Sequence, residues 1–221
     1  MFPYVAKSLE PNSDATVWTA KLRKGMKWSD GAPFTADDFV YVGEEVQGDD
    51  SIRPGKAIWY KGSGDTPAVV TKIDDLTVKF TYPLPYWHLK KRLTIKCIDP
   101  NISYTPAHYM KQFMPQYNPD AEANAKAEDY ETWQQYFNNR MDYRWNPNKP
   151  SHKPWNINNP ASDPVIMMNR NPYFFGVDPE GNQLPYIDSW RMDIVTDQKV
   201  LSLKAIQGEL DFQGRHIQIN D

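Results

Sequence analysis

The sequence predicts a mixed α/β chain of α+β type, on three observations. Residues 16–22 and the pair of stretches 69–73 and 76–82 alternate apolar and polar side chains, the period of a half-buried strand. Residues 121–139 place Tyr130, Trp133 and Phe137 on one helical face. Near the end, "WRMDIVTD" reads as a strand, "QKVLSLKAIQGELDF" opens as an amphipathic helix stopped at Gly208, and a further strand follows; that succession predicts a βαβ unit with a parallel sheet segment. At 221 residues with 40 % hydrophobic residues, the chain can build one large domain or two small ones. Aromatics at 14 % and nineteen prolines describe an ordered chain rich in loops.

The elements follow in order. Thr16, Trp18, Ala20 and Leu22 share one strand face, and Lys24-Gly25 turns the chain. Residues 26–28 read as a short second strand, ended by the turn Ser29-Asp30-Gly31. Thr35 is placed to cap a helix, Asp37 and Asp38 lie in its first turn, and Phe34 and Phe39 have the spacing of a hydrophobic staple. Residues 43–67 read as a long surface loop in which Trp59-Tyr60 is a local anchor, with a stacking platform as the other reading. Residues 69–82 form a hairpin ended by Pro83 and Pro85. "YWHLKKRLT" is a short helix and "IKCI", 95–98, a buried strand. Thr105 as N-cap and Pro106 at the first helical position open the helix "AHYMKQFM". Residues 144–164 are a loop or extended segment, "VIMMNRNPYFF" starts as a strand, and "DPEGNQLPYID" is a tight turn.

Little in the residues points to chemistry. The net charge of −3 argues against a nucleic-acid surface. Cys97 stands alone, which excludes an intrachain disulfide or a Cys-based zinc site. The four histidines lack metal-type spacing, Asp178 and Glu180 lack the alternating ligands of an EF-hand loop, and "GSG" at 62–64 is not followed by the Lys-Ser/Thr of a phosphate loop. The acid pairs Asp37-Asp38, Asp49-Asp50 and Asp74-Asp75 fall at a cap or in turns. Neither cofactor nor metal is expected. No stretch approaches the roughly 18 apolar residues of a membrane span, and the N-terminus has no signal-peptide pattern.

Several ordered blocks resemble the bacterial extracellular solute-binding proteins of family 5, the peptide, nickel and oligosaccharide receptors of ABC importers. In "WTAKLRKGMKWSDGAPFTADDFVY" the residues Leu22, Arg23, Gly25, Trp28, Asp30, Gly31, Thr35, Ala36 and Asp38 match the family pattern. "VVTKIDDLTVKFTY", "TPAHYM" and "NRNPYFFGVDPEGNQLPYIDSWRMDIVTDQKVLSLKAIQGELDF" resemble further family segments in the same order. In "HKPWNINNP", Lys153 replaces the Gly of the family's Gly-Pro-Trp.

The resemblance implies a lobe of the periplasmic-binding-protein type II kind, with the second lobe absent. It is divided as a strand- and hairpin-rich subdomain over 1–98 and an α/β subdomain over 99–221 leading to the hinge. It also implies a non-catalytic, extracytoplasmic protein that captures an oligopeptide or oligosaccharide between closing lobes and docks on the importer's membrane subunits, with no nucleic acid and no membrane span of its own. A targeting segment removed in the given chain, and weak or absent solute binding by this chain alone, follow from the same resemblance. The strand after Gly-Glu-x-Asp borders the family's cleft, which nominates Gln213, Arg215 and His216 as ligand donors. Trp155 and Asn156 are nominated for stacking and hydrogen bonding. A carbohydrate-active enzyme or lectin-like module using the many aromatic rings is the alternative, distinguished by the positioned acid pair an enzyme needs; a chemosensing domain built on the same lobe is a third.

Overall fold

A computed structural model of the chain describes residues 4–95 and 103–214. Strands β1 (Ala6–Pro11), β2 (Val17–Leu22), β3 (Val69–Asp74) and β4 (Thr77–Thr81) form a four-stranded sheet in the order β1-β2-β4-β3, with antiparallel pairing throughout. Trp18 pairs with Phe80, Ala20 with Val78 and Val70 with Phe80. These residues are buried, so the alternation read from the sequence is the inward face of the sheet.

Against that face packs α1 (Asp37–Tyr41), which continues as a π-helical turn over Val42–Val46. The Phe34 and Phe39 rings meet edge-on at 5.7 Å, which realises the staple. Gly43 lies against β3: a Cβ there would stand 2.6 Å from Val70 Cγ2. Gly43→Ala is therefore expected to cost about 1–3 kcal/mol by overpacking. Adding Val70→Ala should recover part of that loss; a denaturation double-mutant cycle showing simple additivity would place the strain elsewhere.

Five local expectations change. Residues 26–28 form no strand; one bridge, Lys27 with Pro33, closes a tight loop in which Trp28 N–H donates to Ala32 O and Phe34 N–H to Met26 O. Residues 43–67 are more ordered than a loop. They hold the π turn and the short helix α2 (Ile58–Lys61), and bury Val46, Ile52, Trp59 and Tyr60 in the core, so Trp59-Tyr60 is an anchor. Helix α3 (Leu89–Ile95) takes in Ile95, and residues 96–98 of the expected "IKCI" strand lie outside the described residues. Helix α4 (Ala107–Met110) tightens into a 3₁₀ turn over Lys111–Phe113. The stretch 121–139 splits into α5 (Ala121–Ala127) and α6 (Trp133–Met141) because Asp129 turns left-handed at φ 63° and Thr132 starts a new helix, its hydroxyl accepting Gln135 N–H at 3.3 Å.

Ala107, Met110, Phe113, Phe137 and Met141 from α4 to α6 join the same buried cluster that β2, β4 and α1 line. Beyond it, β5 (Trp155–Ile157), β6 (Val165–Arg170) and β7 (Ser189–Asp193) form a second sheet in that order, again antiparallel. Helix α7 (Gln198–Ile206) follows, capped by Asp197, whose Oδ1 accepts Lys199 N–H at 2.7 Å. Among the described residues no strand follows α7 and no ladder is parallel; the strand expected to complete the βαβ unit runs into residues 215–221, which lie outside the described residues. β7 is an antiparallel neighbour of β6, reached through the turn at Gly181, which takes φ 88°.

Candidate functional site

The site grows from the turn at residues 29–31. Gly31 adopts φ 89°, which lets the chain reverse there, and its backbone passes close to the Tyr173 hydroxyl. Ser29 is clamped to a residue 122 positions away by two reciprocal bonds: its N–H donates to Ser151 O at 2.8 Å, and Ser151 N–H donates to Ser29 Oγ at 3.0 Å. The Ser151 hydroxyl in turn donates to Asn156 Oδ1 at 2.6 Å on β5. Asn171, fully buried after β6, donates from Nδ2 to Lys153 O at 2.9 Å and holds the loop from the other side. Three segments distant in sequence are thereby locked together.

Between them opens a cleft of about 340 Å³, a size that suits a small ligand. Ser29, Asp30, Asn148, Lys149, Asn156 and Asn158 supply its polar lining, and Pro147, Pro150 and Ile157 its apolar patches. Asp30 is held in place: Oδ1 accepts Ala32 N–H at 3.1 Å, and Oδ2 meets His108 Nε2 at 2.8 Å. Since Asn156 Oδ1 already accepts from Ser151, its NH₂ is the group left to donate. The lining therefore offers amide and hydroxyl donors and acceptors with one carboxylate among the described residues. That set can hold a polar solute and has no second acid for hydrolysis. Among the described residues, no group of three or more His, Cys, Asp or Glu is arranged to hold a metal.

Of the five nominated ligand residues, the structure brings Asn156 to this cleft. Trp155 does not line it: its ring meets Trp190 edge-on at 5.4 Å and its Nε1–H donates to Ile187 O at 2.9 Å. Gln213 lies half-buried beyond α7 and does not line the cleft. Arg215 and His216 lie outside the described residues. Sequence reasoning missed Ser29 and Asp30, taken as turn residues, and Asn148, Lys149 and Asn158. The density of Asn over 146–159 was the available signal.

A buried polar layer carries the cleft. Lys149 is buried and donates Nζ to Met141 O at 2.8 Å. Lys153 stacks its ammonium over the Tyr143 ring, and burial pushes its amine down to about 8. Behind them His152 Nε2 lies 2.7 Å from the Tyr104 hydroxyl, and burial pushes the imidazole down to about 3, with Lys153 and Lys149 adding to the effect. A histidine whose folded value is depressed contributes stability above the unfolded value of 6.5 and loses it as the pH falls from about 6.5 toward 3. His152→Gln is expected to remove that acid-side loss; urea midpoints between pH 4 and 7 that keep the parent's pH dependence would refute the assignment.

A buried carboxylate lies beneath this layer, that of Asp38, 4 % exposed. Its Oδ2 accepts Trp28 Nε1–H and Thr35 N–H, each at 3.1 Å, and its Oδ1 accepts Ala107 N–H at 3.1 Å. One carboxylate thus ties the turn, the start of α1 and the start of α4. It replaces Thr105 as the cap of α4, since the buried Thr105 hydroxyl makes no hydrogen bond. Thr35 still caps α1 through Asp37 N–H at 3.3 Å, with Asp38 closing the reciprocal bond to Thr35 N–H.

Comparison with known proteins places this architecture. A family model described as "Bacterial extracellular solute-binding proteins, family 5 Middle" matches residues 1–219. The periplasmic alpha-galactoside-binding protein of Rhizobium meliloti (strain 1021) is 32 % identical over 95 % of this chain and 28 % of its own length. A solved oligopeptide-binding protein OppA is 40 % identical with a TM-score of 0.85, over 96 % of this chain and 32 % of that one. The periplasmic binding protein MelB from Agrobacterium fabrum C58, solved in complex with stachyose, superposes at a TM-score of 0.65 with 26 % identity over 92 % of this chain and 28 % of that one. The chain therefore spans about a third of the length of the relatives it matches. No helix among the described residues is long and apolar enough to cross a membrane.

Proposed function

Since the chain belongs to the bacterial extracellular solute-binding proteins of family 5, we propose that it is part of the solute-capturing component of an ABC importer. It binds an oligopeptide or an oligosaccharide, works outside the cytoplasm, leaves the solute chemically unchanged and delivers it to the importer's membrane subunits. The family match over residues 1–219 carries this reading. The polar cleft supports it: amides and a hydroxyl fixed by mutual hydrogen bonds present pre-oriented groups, which lowers the entropy lost on binding. The two ligand classes come from the relatives, one an alpha-galactoside-binding protein and one an oligopeptide-binding protein.

Asn156 belongs to the solute-facing surface in this reading, and Gln213, Arg215, His216 and Trp155 remain proposed contacts from the chain's later segments. Isothermal titration of the whole receptor to which this chain contributes, with di- to hexapeptides and with α-galactosides, tests both parts, the chain alone being expected to bind weakly or not at all. Saturable binding to one class is expected, and heat from neither would overturn the capture role. Asn156→Ala should weaken that binding about fivefold, the value of one hydrogen bond near 1 kcal/mol. An unchanged affinity would remove this cleft from the binding surface and leave the family role intact.

A further inference from the structure

Behind the cleft wall lies a second, smaller cavity of about 20 Å³, lined by Trp28, Tyr104, Tyr143, Lys149, Ser151 and His152 among others. His152 is 7 % exposed. Its carbonyl accepts the Tyr4 hydroxyl at 3.3 Å, its Nε2 meets the Tyr104 hydroxyl at 2.7 Å, and its Nδ1 has no hydrogen-bond partner in the protein. Buried polar nitrogens without a partner are rare, and each calls for one.

A neutral imidazole carries one N–H and one lone pair, and two arrangements satisfy the short Tyr104 contact. If Nε2–H donated to the Tyr104 oxygen, the tyrosine proton would need an acceptor and the Nδ1 lone pair a donor. If the Tyr104 hydroxyl donates to Nε2, one group is left over, the Nδ1–H, and it needs one acceptor. The second arrangement leaves fewer groups unmet.

The cavity has the size for that acceptor. A water needs at least about 10–15 Å³ measured in this way, and its share of the liquid is about 30 Å³, so 20 Å³ admits one and excludes a pair. Tyr143, Lys149 and Ser151 add polar groups to the same wall. We propose that this cavity is a single-water site, in which a buried water accepts the Nδ1–H of His152 while the Tyr104 hydroxyl donates to Nε2. The water then belongs to the scaffold of the cleft, because Ser151 lines its cavity and also holds Ser29 and Asn156.

Long-range ¹H–¹⁵N spectra of the ¹⁵N-labelled protein near neutral pH test the assignment. The expected result is a pyrrole-type Nδ1, a pyridine-type Nε2 and a cross-peak from Nδ1–H to a long-lived water. The opposite tautomer, or an Nδ1–H without a water cross-peak, overturns it. Tyr104→Phe should shift the population toward the Nε2–H form, and an unchanged tautomer would show that Tyr104 is not the donor. A crystal structure fine enough to show ordered water gives an independent reading. A peak within hydrogen-bond distance of Nδ1 is expected, and its absence overturns the site.

Discussion

Replacing Asp38 by Ala is expected to lower the unfolding free energy by about 3–5 kcal/mol, as for a buried charged partner removed from its donors. The substitution strands three donors at once: Trp28 Nε1–H, Thr35 N–H and Ala107 N–H. It also unlocks two helix starts from a single point. Asp38→Asn keeps an acceptor but turns an NH₂ toward a donor, so it should recover only part of the loss. Urea denaturation reads both variants, and a loss below about 1 kcal/mol for Ala would mean that water replaces the carboxylate.

Asp38 also carries a signature in pH. Burial pushes its carboxyl up to about 6, against the hydrogen bonds that favour the anion. With the folded value above the unfolded 3.8, its contribution is full below pH 3.8 and is lost as the pH rises through about 6. His152 acts in the opposite sense over an overlapping window. The parent should therefore show a flatter stability profile between pH 4 and 6 than either variant. Removing Asp38 should leave stability rising with pH, and removing His152 should leave it falling.

Trp28→Ala is expected to have the largest effect, about 5 kcal/mol. Trp28 is 2 % exposed and meets Phe34 and His152 edge-on at 5.3 and 5.7 Å. Truncating a buried Trp costs about 3–5 kcal/mol by itself, and the loss of Nε1–H takes one donor from a buried carboxylate. Trp28→Phe retains most of the ring and should cost about 2 kcal/mol. The double variant Trp28→Phe/Asp38→Ala should fall short of the sum of the singles because the two share a bond. Strict additivity would show that the indole–carboxylate contact contributes nothing.

Strands β2 and β4 were legible because their period is physical, every second side chain reaching the core, whereas β1 and the three-residue β5 were not read as strands. The Phe34–Phe39 staple was legible for the same reason, being a local spacing. Long-range substitution was not. Thr105 looked like the cap of α4, and a carboxylate 69 positions before Ala107 holds that role. Asp129 carried no sign that it would break a helix, since only the packing of Tyr130 on Tyr136 and of α5 on α6 rewards the left-handed turn. At the site, Asn156 could be nominated from its loop, whereas Asp30 and Ser29 gain their place only because residues 147–151 arrive beside them. The assignment to the family was legible from ordered blocks, and the match over residues 1–219 agrees with it.

The paired bonds between Ser29 and Ser151 also set an order of events during synthesis. At translation rates of about 5–20 residues per second, the later serine emerges roughly 6–24 s after the earlier one. The nascent chain can assemble its first hairpins in that interval, but the cleft lined by Ser29 and residues 147–150 cannot exist yet. That cleft is therefore completed in one late step, when the loop over residues 147–151 docks on the turn at Ser29.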